Sequence, residues 1–565
     1  MILPAVITNA ERGSTTYGRT TAVVCSPCRL GAARATRHSF GPSMLRRANL
    51  HRWSVHIERW DIDPEGRGEA VYRVDAEGHA LRFVAFSQVI DESERTDRVI
   101  ADRWDVAAAL IRGPLDARRL AVLRREVPRQ EDGHADAQTL VWTRANRSAR
   151  HFDRVVEQLA AGSQPDRRGL GWSPYVLRST AFYANGKFGM SSFGELGDCA
   201  PVAAPYRAQM LAGWLLRELS CDLVEHLAAH RDARATTLSP RWRRSIGIGN
   251  ATGLGLVPFP INHPEILDAW CAVRELALAY AISASPARVA AGAATVRRRL
   301  ACARAYFEAR ADEPYAPFRP GGELSHDLAE VERQAARRRT WAELWHWAEE
   351  HADVEVQEIL LSCLVDELTE LDDQIEHRLG FLDSRDPIPA GAAGTLRDEL
   401  EERYRWALEM ASAPQAARYF WYYAADSEEP RRGQRGRDPG ESVAMAIDIP
   451  AQMSRLHASL DGVSATRTVA RFLLDHPEHR QAVARVIGTR RLQYGEARVN
   501  LEAEDFLPLQ LQRFQLATYG AENFIPQSDT WLRVTLMQGA PSRHELATYR
   551  GPTNPLFSEE HDDDA

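Results

Sequence analysis

Residues 206–230 constrain the fold more than any other stretch. Met210, Trp214, Leu215, Leu219, Leu223 and Leu227 recur at three- and four-residue spacing, the stripe of a long amphipathic helix. A helix of roughly seven turns needs an apolar surface along its whole length, so it must lie against a substantial core. Further helices follow. Residues 264–282 carry the same spacing. Ser285-Pro286 then opens another helix, with serine as the cap and proline at the first helical position. Thr340-Trp341-Ala342-Glu343 has the form of a capping box, and the helical pattern after it runs to Gly380. Two more helices are expected, one beginning near Thr395 and one over 508–519.

Strand patterns lie outside this helical centre. Residues 53–62 alternate bulky and polar side chains. Two alternating runs, 69–74 and 80–90, flank Asp75-Ala76-Glu77-Gly78, the signature of a hairpin. A further strand over 99–111, helices over 116–125 and 148–161, and late strands at 497–501 and 531–538 complete the pattern. The expected class is α+β and predominantly α-helical, with small antiparallel β elements near the N-terminus and again near the C-terminus. The expected division is a β-containing region over 44–147, a mainly helical core with glycine-rich loops over 148–425, a charged mobile loop over 426–440, a mixed region over 441–550 and an acidic tail over 551–565.

Residues 1–43 hold five arginines against one acidic residue, Glu11, a composition like that of a transit peptide. They are expected to be a disordered extension or a mis-assigned start, with Met44 opening the folded chain. Hydrophobic content of 44% and charged content of 26% suit a folded globular protein, and the net charge of -8 argues against nucleic acid as the main partner. Seven cysteines without regular spacing give no disulfide framework and point to reduced thiols in the cytoplasm. No window is apolar enough to span a membrane. The expected partner is a small anionic molecule. No cofactor is identified, and association of several copies of the chain stays open.

Chemistry is expected first at Lys187, the only lysine among 70 basic residues. Arginine cannot release its proton near neutral pH, whereas a lysine amine can be tuned to do so. Lys187 stands between Asn185-Gly186 and Phe188-Gly189, with Arg178 and Tyr183 shortly before it. Arg178 offers a fork for a carboxylate, and Tyr183 and Asn185 offer hydrogen bonds. The second candidate is the glycine-rich stretch 245–264, SIGIGNATGLGLVPFPINHP. It lacks the strand before and helix after that a nucleotide fingerprint requires. It is read as an anion-holding loop, with Gly249, Asn250 and Thr252 as contacts, Arg244 adding charge and His263 as partner acid. The third is the polar region 493–533, with Arg513, Asn523 and Arg533. Arg144-Ala145-Asn146-Arg147, ahead of a helix start, is a further anion candidate.

A metal alternative rests on two similar runs, Asp222 to His226 and Asp373 to His377, whose aspartate and histidine share a helix face. No P-loop, zinc-protease or nucleophile-elbow motif occurs. The functional expectation is an enzyme of small-molecule metabolism that takes a proton from a carboxylate substrate in a lyase-type elimination. In that reading Lys187, His263 and Tyr183 are catalytic, and Arg178, Asn185, Gly249, Asn250, Thr252, Arg244, Asn523 and Arg533 bind substrate. The alternatives are an iron- or manganese-dependent oxidoreductase with Asp222, His226, Asp373 and His377 as ligands, and a non-catalytic helical scaffold.

Overall fold

A computed structural model describes residues 27–91, 104–128, 138–184, 200–202, 207–252, 264–311, 319–375, 391–412, 419–423, 430–434, 445–447, 449–489, 508–526 and 532–558. Its first three strands, β1 (Ser54–Ile62), β2 (Gly68–Ala76) and β3 (His79–Ser87), form an antiparallel meander. Ala76 pairs directly with His79, which leaves Glu77-Gly78 as a two-residue turn with φ of 49° and 83°. Two left-handed residues in succession are what the hairpin turn matched to strand twist demands.

The meander continues through β4 (Val106–Arg112), β5 (Thr139–Arg147) and β6 (Tyr175–Ala184). Strand β7 (Gly247–Thr252) then pairs with β6 in parallel. Strands β8 (Tyr419–Tyr423), β9 (Pro430–Gln434) and β10 (Met445–Ile447) form a separate sheet in the order β10-β8-β9. Strands β11 (Phe524–Pro526) and β12 (Leu532–Leu536) return to the first sheet, which closes as nine strands in the order β1-β2-β3-β4-β5-β6-β7-β12-β11.

This corrects the expectation of small β elements at the two ends of the chain. The strands from both ends belong to one mixed sheet, and the α+β class stands on that sheet and the helices around it. The physical reason is β7, whose glycine-rich sequence reads as a loop but supplies the strand that joins the two sets. Pro430–Gln434, within the segment expected to be a charged loop, is likewise a strand.

Alternation along the strands sorts side chains onto two faces. Tyr72, Phe83, Leu110 and Val141 stand opposite one another across β2 to β5 and are buried in the main core. Val71, Val84, Ala109 and Trp142 form the opposite face and meet Leu120 and Leu123. After the short α1 (Pro27–Ala32), helices α2 (Phe40–Leu50), α3 (Ala117–Glu126), α4 (Phe152–Ala160) and α5 (Arg207–Arg231) pack around this sheet. Leu120 and Leu123 come from α3, which Asp116 caps by accepting from the Arg119 N–H at 2.7 Å. The long helix is α5. Its Leu215, Leu219 and Leu223 are fully buried, and Trp214 donates its indole N–H to the Pro541 carbonyl at 2.9 Å.

A helical layer comprises α6 (Pro264–Ile282), α7 (Pro286–Glu308), α8 (Gly321–Arg337), α9 (Trp341–His351) and α10 (Val354–Glu367). Ser285 caps α7 as its sequence predicts. Thr340 caps α9 through the Glu343 N–H at 3.1 Å, while the Glu343 carboxylate accepts from the Arg339 N–H rather than closing the box on Thr340. The helical run expected to reach Gly380 breaks after His351, because Asp353 accepts from the N–H groups of Glu355 and Val356 and starts a new helix. Helices α11 (Ala393–Arg403), α12 (Arg405–Ser412), α13 (Ile449–Leu460), α14 (Val469–Asp475) and α15 (Arg480–Thr489) follow. They enclose a second apolar cluster that includes Leu400, Met453, Leu456, Phe472 and Val483. No helix among the described residues is long and apolar enough to cross a membrane.

The last helix, α16 (Pro508–Tyr519), packs with α10 against α1, so residues 27–43 are not an extension. Arg34 binds Glu355 at 2.9 Å and Glu522 at 3.3 Å, and Arg513 binds Glu355 as well. The Ala35 N–H donates to Glu522 at 2.6 Å. Burial alone would raise the Glu355 carboxyl, but Arg513 and Arg34 together hold it below its ordinary value. Arg29 donates twice to the Gln357 side chain and faces Glu358, and Arg37 reaches Asp372 at 2.7 Å. The expectation that folded structure opens at Met44 fails because these arginines neutralise carboxylates inside the core.

Removing one partner of a buried ion pair strands the other charge, which costs more than the pair itself contributes. Arg34→Ala, which leaves two buried carboxylates short of a partner, should lower the unfolding free energy by about 3–5 kcal/mol in a denaturant titration. A loss below about 1 kcal/mol, the size of an exposed pair, would contradict this packing.

Candidate functional site

The pairing of β5, β6, β7 and β12 assembles a polar surface from distant segments. Asn146 lies opposite Arg178, Arg178 opposite Gly249, and Gly249 opposite Thr535. Paired residues share a face, and residues two apart along a strand share it too. Arg144, Asn146, Arg178, Gly249, Thr535 and Arg533 therefore stand on one side of the sheet. Over β2 to β5 this is the side α3 covers. The arginines Arg144, Arg178 and Arg533 are half-buried there. Arg178 and Arg533 belong to strands two places apart, roughly 10 Å, which two arginine side chains can span.

Glycine forms the floor between them for a packing reason. A Cβ on Gly249 would fall 2.5 Å from the Tyr175 ring, and one on Gly247 would fall 2.4 Å from the Thr535 methyl. Both distances are far inside contact, so the strand can sit between β6 and β12 only without side chains at these positions. Gly247–Thr252 is a strand paired with β12 over Ile248–Thr252 and with β6 at Gly247 and Gly249, which corrects the expectation of a loop over these residues, while 253–263 lie outside the described residues.

His151 edges this surface and is a residue the sequence reasoning missed. Its ring meets Tyr175 edge-on at 5.2 Å, and its Nδ1 lies 3.2 Å from the Tyr175 carbonyl. A carbonyl only accepts, so Nδ1 carries the hydrogen and Nε2 keeps its lone pair. Burial lowers the imidazole below its ordinary value, the charges of Arg150, Arg154 and Arg533 lower it further, and the Tyr175 carbonyl partly opposes them. His151 is therefore neutral at pH 7. The available signal is its place at the start of the helix that follows Arg144–Arg147.

The other expected site residues fall in different places. Asn250 pairs with Val534 and points to the opposite face, where it is buried. Thr252 ends β7 opposite Leu532, and Tyr183 lies in β6 opposite Trp142. Arg244 is engaged by Glu545 at 2.5 Å and lies near the Tyr549 ring, away from this surface. Asn523 is buried in a polar cluster, accepting from the Tyr306 hydroxyl at 2.6 Å and from Arg310 at 2.9 Å. Asn185, Lys187 and His263 lie outside the described residues. The structure thus brings Arg178, Gly249 and Arg533 together and separates Arg244, Asn250 and Asn523 from them.

The helical metal alternative meets a different chemistry. Asp222 accepts from the Tyr72 hydroxyl at 2.6 Å and is gripped by Arg243 at 2.8 Å and Arg543 at 2.6 Å. A metal ion there would face two guanidinium groups. His226 accepts from the Trp60 indole at 3.1 Å through Nδ1 and lies 3.1 Å from the Asp63 carbonyl through Nε2, so both ring nitrogens are engaged. Asp373 is exposed, and His377 lies outside the described residues. Asp222 and His226 serve the packing of α5 against the sheet.

Comparison with protein-family models, with curated proteins and with solved structures gives no match. The surface is therefore judged on its own chemistry.

Gly249→Ala should destabilise the fold by about 1–3 kcal/mol, the usual cost of overpacking. Adding Tyr175→Ala should make the glycine change nearly neutral in a double-mutant cycle. Equal effects of Gly249→Ala in both backgrounds would show that the two residues do not touch.

Proposed function

We propose that the chain is an enzyme of small-molecule metabolism that binds a small carboxylate-bearing anion on the β5–β6–β7–β12 surface and removes a proton from it in a lyase-type reaction. The observation that carries this reading is three half-buried arginines on one face of the sheet, with a neutral histidine at the edge. Guanidinium forks match carboxylate geometry. Arg178 and Arg533 hold the substrate carboxylate and stabilise the charge that develops when a proton leaves the neighbouring carbon. His151 Nε2 takes that proton, since a base must be unprotonated at the working pH.

Lys187 keeps the part its rarity suggests, as base, imine-former or electrostatic stabiliser. Its sequence position, three residues beyond the end of β6, is all that links it to this surface. The competing reading is a helical scaffold whose arginines serve only packing.

A panel of small mono- and dicarboxylates assayed by calorimetry separates the two. The enzyme reading expects at least one ligand whose affinity falls tenfold or more in Arg533→Gln, with the melting temperature little changed. Turnover of that ligand should vanish in Lys187→Arg. It should also decline as the pH drops through a midpoint below the ordinary histidine value of about 6.5, because protonation removes the Nε2 lone pair. A panel without binders, or binding indifferent to Arg533, would leave the scaffold.

A further inference from the structure

The segment His476-Pro477-Glu478-His479 lies between α14 and α15, far in sequence from the sheet. It forms a single tight 3-10 turn over Pro477–His479. Residues three apart eclipse in such a turn, so His476 and His479 project on the same side. His476 Nδ1 lies 3.3 Å from Glu478 Oε1, and His479 Nε2 lies 3.8 Å from the same oxygen. One donor atom from each of the three side chains falls within 4.8 Å of the other two. Ser459 Oγ on α13 is hydrogen-bonded to His479 Nε2 at 2.8 Å and is a fourth donor atom beside the cluster.

Two of these separations are close to what one ion would impose, and the third, between the imidazole nitrogens, is within 4.8 Å. In a tetrahedral site with bonds of about 2.0–2.1 Å, neighbouring ligand atoms stand about 3.3–3.4 Å apart. The first pair already meets that spacing, and the second needs only a small side-chain rotation. Phe472 supports both imidazoles, with its ring centroid 4.9 Å from His476 and 6.0 Å from His479, nearly parallel to the latter at 6°. His479 is buried, while Glu478 is exposed, so the cluster has a fixed inner side and an open outer one.

We propose that His476, Glu478 and His479 bind a divalent transition-metal ion, best matched by zinc. Two imidazoles and one carboxylate suit zinc far better than calcium or magnesium, which prefer all-oxygen shells. Three protein donors leave a fourth position, filled by water or by the Ser459 hydroxyl. The ion would tie α13 to the turn between α14 and α15, so its binding would stabilise the second apolar cluster. This site is independent of the anion surface on the sheet.

The test is equilibrium dialysis of the metal-stripped full chain against zinc chloride, with elemental analysis, for wild type, His476→Gln and Glu478→Gln. Both substituted side chains reach solvent, so the fold, checked by circular dichroism, is retained. Wild type should take up one equivalent that each variant binds at least about tenfold more weakly, the least that loss of a direct ligand should cost. Magnesium chloride should give no uptake there. Absence of zinc binding by wild type, or the same stoichiometry and affinity in both variants, would overturn the site.

Discussion

The parallel pairing of β7 with β6 is the join on which both the architecture and the candidate surface depend. Six strands from the first third of the chain and two from its last part are neighbours only because β7 lies between them. That strand is narrow by necessity. Tyr175 occupies the space a side chain at Gly249 would need, and β12 crowds Gly247. Arg178 and Arg533 stand on either side of this strand, whose glycines are covered by the Tyr175 ring and the Thr535 methyl.

The second organising force is charge pairing inside the helical layer. Arg34 lies between Glu355 and Glu522, and Arg29, Glu358 and Arg274 form a further buried set nearby. Such pairs contribute little net stability compared with apolar packing, but breaking one is expensive, so they fix which helices meet. Burial raises the Glu522 carboxyl against the pull of Arg34, a sign of how deeply this network is withdrawn from water. The arginine-rich composition has a physical counterpart here, since guanidinium groups tolerate burial beside carboxylates better than compact ammonium groups do.

Much of the secondary structure could be read from local pattern. The β2–β3 hairpin, the caps at Asp116, Ser285 and Thr340, and the helix Arg207–Arg231 all follow from residues close together in sequence. What escaped were relations between distant segments. The partners of Arg34 lie 321 and 488 residues away, so a basic stretch beside Met44 resembles a targeting segment until those glutamates are placed. A glycine-rich run likewise gives no sign of whether its neighbours are a ligand or two strands. Arg178, Gly249 and Arg533 come from separate regions of the chain, and the register of three strands brings them onto one face. Asn250 has the same chemistry, but one step along the strand turns it to the other face, where it is buried.

The central claim is that residues Gly247–Thr252 form a strand, paired with β12 over Ile248–Thr252 and with β6 at Gly247 and Gly249, rather than a loop. Hydrogen–deuterium exchange followed by mass spectrometry tests it directly. Peptides covering 247–252 should exchange as slowly as those covering β4 and β5, because their amides open only with the sheet. Exchange of 247–252 at the rate of an unpaired loop would contradict the nine-stranded sheet and, with it, the surface built on its register.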